Sequence, residues 1–143
     1  MKKLINFSVL IIIALVIFSS CKKHHDTGQP IALNAAFVQG KWKITHYDDK
    51  GVDETNHFAG YEFQFNSNGI VTAAKTGSAT VSGAWGSGND NSTLKLVLDF
   101  GNTATFSELN EDWHVLQQSN VIIVLEHISG GNGGTAHLTF EKI

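Results

Sequence analysis

Apolar and polar residues alternate along most of the chain after residue 40, a pattern typical of strands that are buried on one face. The clearest case is Tyr61-Glu62-Phe63-Gln64-Phe65, in which three aromatic residues share one side of the predicted strand. Asn68-Gly69 follows as a hairpin turn, since both residues tolerate positive φ. Similar segments recur at Gly40–Tyr47, Ile70–Lys75, Ala79–Trp85, Leu94–Phe100, Trp113–Gln118, Val121–His127 and Thr135–Glu141. The pattern therefore predicts eight strands.

Mostly short links join the predicted strands, so we expect neighbours in sequence to pair as an antiparallel meander. The polar segment 86–92 is expected to be a loop, and the segment 31–38 either a short helical turn or an extended lead-in. A meander that closes on itself has no exposed edge strands. We therefore predict an all-β fold, a small eight-stranded antiparallel up-and-down barrel over residues 37–143.

Val121–Leu125 is apolar on both faces of its predicted strand. Two explanations remain open: the lead-in or a loop covers the outer face, or this face forms a contact between two copies of the chain.

Residues 1–20 have a different pattern from the rest of the chain. Lys2 and Lys3 precede an apolar run from Leu4 to Phe18, and two serines close it. A positive start, an apolar segment and small residues at the end are typical of a secretory signal peptide. A membrane-spanning helix needs about 20 apolar residues, which is longer than this run.

The one cysteine of the chain, Cys21, directly follows this segment. Phe18-Ser19-Ser20-Cys21 resembles the lipobox of bacterial lipoproteins, with Phe18 where Leu is usual. The resemblance implies that residues 1–20 are removed, that Cys21 is lipidated, and that residues 21–36 form the lipidated N-terminus and a flexible tether. By analogy, Lys22 in place of Asp favours the outer membrane within the cell envelope. No acidic run follows Cys21 to indicate display on the outer surface, so the periplasmic face is favoured.

Composition argues against nucleic-acid binding and shows how the barrel has to be stabilised. The predicted barrel has twelve acidic residues, six lysines and no arginine, whereas nucleic-acid binding needs a basic surface. With no second cysteine there is no internal disulfide, so the barrel has to be stabilised by its hydrophobic core.

Gly40-Lys41-Trp42 looks like the Gly-x-Trp signature of lipocalins, and the whole segment resembles the lipocalin-like domains of Gram-negative bacterial lipoproteins. The same order of motifs is found at Phe63–Gly69, Ser82–Trp85, Leu109–Trp113 and Leu138–Lys142. The resemblance implies that Trp42 closes one end of the barrel near a late basic residue, for which Lys142 is the candidate. A shared fold does not establish a shared function.

The interior of an eight-stranded barrel is either filled by side chains or holds one small ligand. The candidate ligand-binding residues are the large aromatic residues on predicted inward faces: Trp42, Tyr61, Phe63, Phe65, Trp85 and Trp113. Two functions remain open: a membrane-anchored protein that binds a small hydrophobic molecule, and a structural or protein-interaction module with a filled barrel and no small ligand.

Catalysis needs a nucleophile, a paired acid and base, or a metal. We expect no enzyme, no cofactor and no metal site, since His46, His114, His127 and His137 lie on separate predicted strands without ligand spacing. His46 shares a predicted face with Trp42, which suggests an interior or rim position.

Two acidic loops, Asp48–Glu54 and Glu108–Asp112, have oxygen ligands of the kind calcium binds, but they lack the EF-hand spacing. Solvated surface acids are the expected explanation.

The lipid-anchor hypothesis predicts that Cys21→Ser gives an unprocessed or soluble protein, because serine lacks the thiol that would carry the lipid. Cell fractionation with intact-mass analysis measures this, and Ser20→Ala, which keeps a small residue before the cysteine, is the matched control. Retention of a cleaved Cys21→Ser protein in the membrane fraction would contradict lipidation at this residue.

Overall fold

The computed structural model describes residues 32–131 and 133–143. The predicted signal peptide, Cys21 and the first part of the tether lie outside the described residues. Those residues form nine strands: β1 (Trp42–Asp49), β2 (Val52–Asp53), β3 (Glu62–Phe65), β4 (Ile70–Ala74), β5 (Val81–Asp90), β6 (Thr93–Asp99), β7 (Asp112–Gln118), β8 (Ile122–Ser129) and β9 (Gly134–Lys142). Within the same ranges there are three one-turn 3-10 helices: Ala35–Val38, Thr55–Phe58 and Phe106–Leu109.

The strands form a closed antiparallel barrel, as the sequence predicts. Each strand from β3 to β8 pairs with the next, and β1 pairs with both β3 and β9. The β1–β9 ladder runs from Trp42 opposite Lys142 to Asp49 opposite Ala136. Across the described ranges the barrel has eight strands, and the two-residue strand β2 pairs with the end of β1 as a short antiparallel hairpin.

The ladder between β1 and β3 is the shortest of the ladders that form the described barrel. In the described part of the chain these strands are in register at one pair, Trp42 opposite Phe63. The 3-10 helix Thr55–Phe58 packs beside the gap, where the Tyr47 amide donates to Thr55 Oγ1 at 2.8 Å. Phe58 is buried, with its ring 5.4 Å from that of Tyr47. This helix therefore covers the seam that strand pairing leaves open.

The first 3-10 helix closes one end of the barrel, so the helical alternative for this segment is confirmed. Asn34 Oδ1 accepts from the Ala36 amide at 2.9 Å and caps the turn. The buried Phe37 ring lies 4.0 Å from Phe65. Upstream of the helix, the Asn34 amide donates to Gln118 Oε1 at 2.8 Å. The described part of segment 21–36 thus lies against the end of β7.

Trp42 is fully buried beside this helix, and its indole Nε1 donates to the Phe37 carbonyl at 3.0 Å. The Lys142 Nζ lies 5.6 Å from the centre of the Trp42 ring. The predicted proximity of Trp42 to Lys142 is confirmed, because the closing ladder brings the first and last strands side by side.

Two local predictions were wrong. Segment 86–92 is mostly strand, because β5 continues to Asp90 and turns through Asn91 and Ser92, with φ of 46° and 70°. Two positive φ values are what a type I′ hairpin needs. His46 points outward and is exposed, since a register shift between Ile44 and His46 moves the inward position to Tyr47. A bulge of this kind places an extra residue in one strand.

The core consists of the inward residues of the strands together with rings from all three 3-10 helices. In β6 the predicted alternation is confirmed, with Leu94, Leu96, Leu98 and then Phe100 buried. Gly83 faces Phe100, and a Cβ there would lie 2.7 Å from the Phe100 ring. Glycine is therefore required where these two inward positions meet.

Strand β8 buries Ile123 and Leu125 and leaves Ile122 and Val124 half-buried on its outer face. Val121, just before it, is 62% exposed. A contact between two copies along this strand stays a prediction. In the described ranges, no helix has the length and apolar character required to span a bilayer.

Trp42→Ala is expected to lower the free energy of unfolding by about 3–5 kcal/mol, because it leaves a large cavity in the core. Denaturant titration measures the change. Val97→Ala is the control, since Val97 is 44% exposed and surface substitutions usually change stability by less than about 0.5 kcal/mol. A loss below about 1 kcal/mol for Trp42→Ala would place this residue outside the core.

Candidate functional site

The aromatic residues predicted to bind a ligand form part of a packed core. Trp42, Phe63, Phe65 and Trp113 are fully buried, and Tyr61 and Trp85 are partly buried against them. Their rings contact one another and neighbouring rings: Phe63 with Phe140 at 5.3 Å, Phe65 with Trp85 at 5.8 Å, and Tyr61 with Phe106 at 5.0 Å between ring centres. Such spacing is typical of edge-to-face aromatic packing.

All three indole N–H groups are used within the fold. Besides Trp42, the Trp85 Nε1 donates to the Asn66 carbonyl at 2.9 Å, and the Trp113 Nε1 donates to the Leu109 carbonyl at 3.1 Å. A buried indole needs such a partner. These donors therefore hold connecting segments against the barrel and are not directed at an internal ligand.

At the end of the barrel away from Phe37, the inward positions change from apolar to polar. In β8, Ile123 and Leu125 are followed on the same face by His127 and Ser129, and in β1 Tyr47 is followed by Asp49. These side chains line a cavity of about 360 Å³ at the mouth of the barrel. We call it the acidic cup; its charged lining residues are Asp49, Lys50, Glu54, Glu108, Glu111 and His127.

Negative charge dominates the acidic cup. The Tyr47 hydroxyl donates to the Glu108 carbonyl at 3.2 Å within it. Burial raises the pKa of Tyr47 far above its usual range, and the nearby carboxylates of Glu108, Asp49 and Glu54 add to the increase. Among the lining residues, Lys50 is the one permanent cation, and its Nζ lies 3.9 Å from Asp49 Oδ2.

The two predicted acidic loops meet at this cup. Glu54 comes from one loop and Glu108 from the other. Each of them has a carboxylate oxygen within 4.8 Å of the other and of a ring nitrogen of His57. The second loop contributes Glu111, which forms a similar group with Asp112 and His127. Long-range folding brings these residues together, and their spacing in the sequence does not reveal it.

A second concave site lies on the outer face of β1 and β9. It is an open hollow of about 600 Å³, lined by charged or imidazole side chains and small residues: His46, Asp48, Lys50, Gly51, Asp53, Gly134, Thr135 and His137. We call it the outer hollow. His46 Nε2 and His137 Nδ1 each lie 3.0 Å from Asp48 Oδ2.

Sequence reasoning missed this cluster. The signal available was His46-x-Asp48, an imidazole and a carboxylate two residues apart on one strand, with His137 in the last strand. Only the register that pairs Asp48 with His137 brings them together.

Two solved structures are similar to this chain. A DUF4847 family protein from Bacteroides vulgatus ATCC 8482 is 15% identical, with a TM-score of 0.46 and coverage of 73% of this chain and 93% of that chain. An uncharacterized protein from Bacteroides eggerthii DSM 20697 is 13% identical, with a TM-score of 0.44 and coverage of 73% of this chain and 98% of that chain. No protein-family model and no curated protein matches the sequence.

His57 is expected to titrate with a raised pKa, because its hydrogen bond to Glu108 Oε2, 3.0 Å from His57 Nδ1, favours the imidazolium form. The stabilisation is therefore fully present below the unfolded pKa of His57 and is lost as the pH rises through the folded pKa. NMR titration of the imidazole in a chelator-treated sample measures this.

Glu108→Gln should return the His57 pKa towards the ordinary value, whereas Glu62→Gln, whose carboxylate pairs with Lys41, should leave it unchanged. An unchanged His57 pKa in Glu108→Gln would show that this pair does not form in solution.

Proposed function

We propose that this chain is a lipid-anchored module whose barrel is a filled scaffold, and that it binds a positively charged group of a partner, such as an amine or a basic peptide, in the acidic cup. Cys21 carries the lipid, and the domain lies at the periplasmic face of the outer membrane. The observation that carries the proposal is the convergence of Asp49, Glu54, Glu108 and Glu111 on one cavity at the mouth of a barrel with a packed interior.

The packed interior supports the filled-barrel alternative. Many large side chains of the described core have less than 2% of their surface exposed, among them Trp42, Phe63 and Trp113. A compound in their place would have to displace rings that already contact one another, at the cost of lost packing. The polar cup, in contrast, is an existing cavity that binding would not have to open.

The position of the cup also suits a membrane-anchored protein. The tether joins the barrel at the opposite end, where Gln118 Nε2 donates to the Ala32 carbonyl at 3.1 Å. A lipid attached upstream of Ala32 would therefore leave the mouth of the cup free to meet a partner.

Binding of a tetralysine peptide to the full chain in detergent, measured by calorimetry, tests the cup. The native chain should bind it, more weakly as salt rises because exposed charges are screened. The triple variant Glu54→Gln/Glu108→Gln/Glu111→Gln should weaken binding by about tenfold or more, which corresponds to roughly 1.4 kcal/mol.

The matched control removes three carboxylates outside the cup, with Glu62→Gln/Asp90→Asn/Glu141→Gln. Equal weakening in the two triple variants would show that net charge, and not the cup, causes the binding. Absence of binding to the native chain would also contradict a cation-binding cup.

A small hydrophobic ligand is the second candidate function. Tyr61 and Trp85 favour it, because both are only partly buried and present aromatic surface at the edge of the core. Mass spectrometry of an organic extract of the purified chain decides between the two: a compound at one equivalent would overturn the filled-barrel proposal.

A further inference from the structure

A row of ionisable side chains crosses four neighbouring strands on the outer face of the barrel. Asp53 on β2 lies opposite Asp48 on β1, Asp48 opposite His137 on β9, and His137 opposite Glu126 on β8. Directly opposed residues have Cβ atoms about 4.5–5.5 Å apart, so the side chains are neighbours. Strand register, and not a loose loop, therefore sets this row.

Asp48 is the centre of the row. One carboxylate oxygen, Oδ2, lies 3.0 Å from both His46 Nε2 and His137 Nδ1, and the other, Oδ1, accepts from the Gly51 amide at 3.3 Å. The Asp48 side chain is 14% exposed, whereas the His46 ring is 49% exposed. A fixed carboxylate thus lies between two imidazoles that have room to turn.

His137 lies between two carboxylates. Its Nδ1 faces Asp48, and its Nε2 lies 3.6 Å from Glu126 Oε2. A neutral imidazole has one N–H, so only one of these carboxylates can accept a hydrogen bond from it at a time. If Nδ1 binds a metal ion, the proton lies on Nε2 and faces Glu126, which is the usual arrangement for a metal-binding histidine.

We propose that His46, Asp48 and His137 bind a divalent transition-metal ion such as Zn²⁺ in the outer hollow, with Glu126 orienting His137. Two imidazoles and one carboxylate are a common three-ligand set for zinc, with a further position open to water. Donor atoms bonded to one tetrahedral zinc ion lie about 3.3 Å apart. Asp48 Oδ2 already lies 3.0 Å from a nitrogen of each imidazole, whereas these nitrogens of His46 and His137 are more than 4.8 Å apart, so binding requires the exposed His46 ring to turn towards His137. Asp53, opposite Asp48, adds a negative charge beside the ion.

Imidazole ligands favour zinc and its neighbours over calcium, which prefers oxygen. The described residues contain two groups whose donor atoms already all lie within 4.8 Å of one another, and each of them has one imidazole, His57 or His127. The outer hollow is thus the place where the described fold brings two imidazoles to one carboxylate. This site lies outside the acidic cup and does not depend on its function.

Calorimetric titration of the chelator-treated full chain with Zn²⁺ tests the site, with Co²⁺ absorption as a second readout of imidazole coordination. The native chain should bind one equivalent that His46→Gln and His137→Gln each abolish or weaken by more than about tenfold. Glu126→Gln should weaken it by about 10–100-fold, the effect typical of a lost partner to a ligand. Melting curves with chelator present check that each variant folds.

Matched controls remove imidazoles elsewhere: His57→Gln, His127→Gln and the tether pair His24→Gln/His25→Gln, all of which should bind Zn²⁺ like the native chain. The proposal is overturned if the native chain shows no saturable Zn²⁺ binding, if His46→Gln and His137→Gln bind normally, or if a control variant loses the ion instead. Displacement of Zn²⁺ by equimolar Ca²⁺ would also overturn it, in favour of an oxygen-only site.

Discussion

The pairing of the first strand with the last is the constraint on which the rest of the structure depends. β1 pairs with β9 from Trp42 to Asp49, with one bulge between Ile44 and His46, whereas β1 meets β3 at one pair in the described ranges. Without the β1–β9 ladder, β1 and β9 would each have an exposed edge with unpaired backbone groups. Its register also places Trp42 beside Lys142, Asp48 beside His137, and Asp49 at the mouth of the cup.

Closure and filling support each other. An eight-stranded ring encloses a space that side chains can fill completely, and here rings from three 3-10 helices as well as the strands occupy it. The indole N–H groups donate to backbone carbonyls of connecting segments. The same aromatic residues that fill the core therefore also hold these segments against the barrel. The two polar concave sites, the cup and the outer hollow, lie outside this packed interior.

Local patterning predicted the strands and the core well, because alternation reports directly which face of a strand is buried. Leu94 to Phe100 and Tyr61 to Phe65 are examples. Positions that depend on tertiary context were not predictable in this way. The β-bulge in β1 turned His46 outward, and the polar strand Ser87–Asp90 is exposed on both faces, so it has no alternation to read.

The two candidate sites were hidden for a different reason. Glu54 and Glu108 are far apart in sequence, as are Asp48 and His137, and only barrel closure brings each pair together. No spacing rule encodes such a distance, since it follows from the register between strands. For the cup, the alternation along β8 was a readable signal, because His127 continues the inward face of Leu125 and so predicts a polar end to the barrel interior.

Native-state hydrogen exchange of the β1 and β9 amides, followed at increasing denaturant, tests most directly whether this closure holds the fold together. These amides should exchange only through global unfolding, with the free energy that denaturation gives for the whole domain. Exchange of the Trp42–Asp49 amides at a free energy several kcal/mol lower, while β4 to β6 stay protected, would show that the barrel opens at this ladder without unfolding.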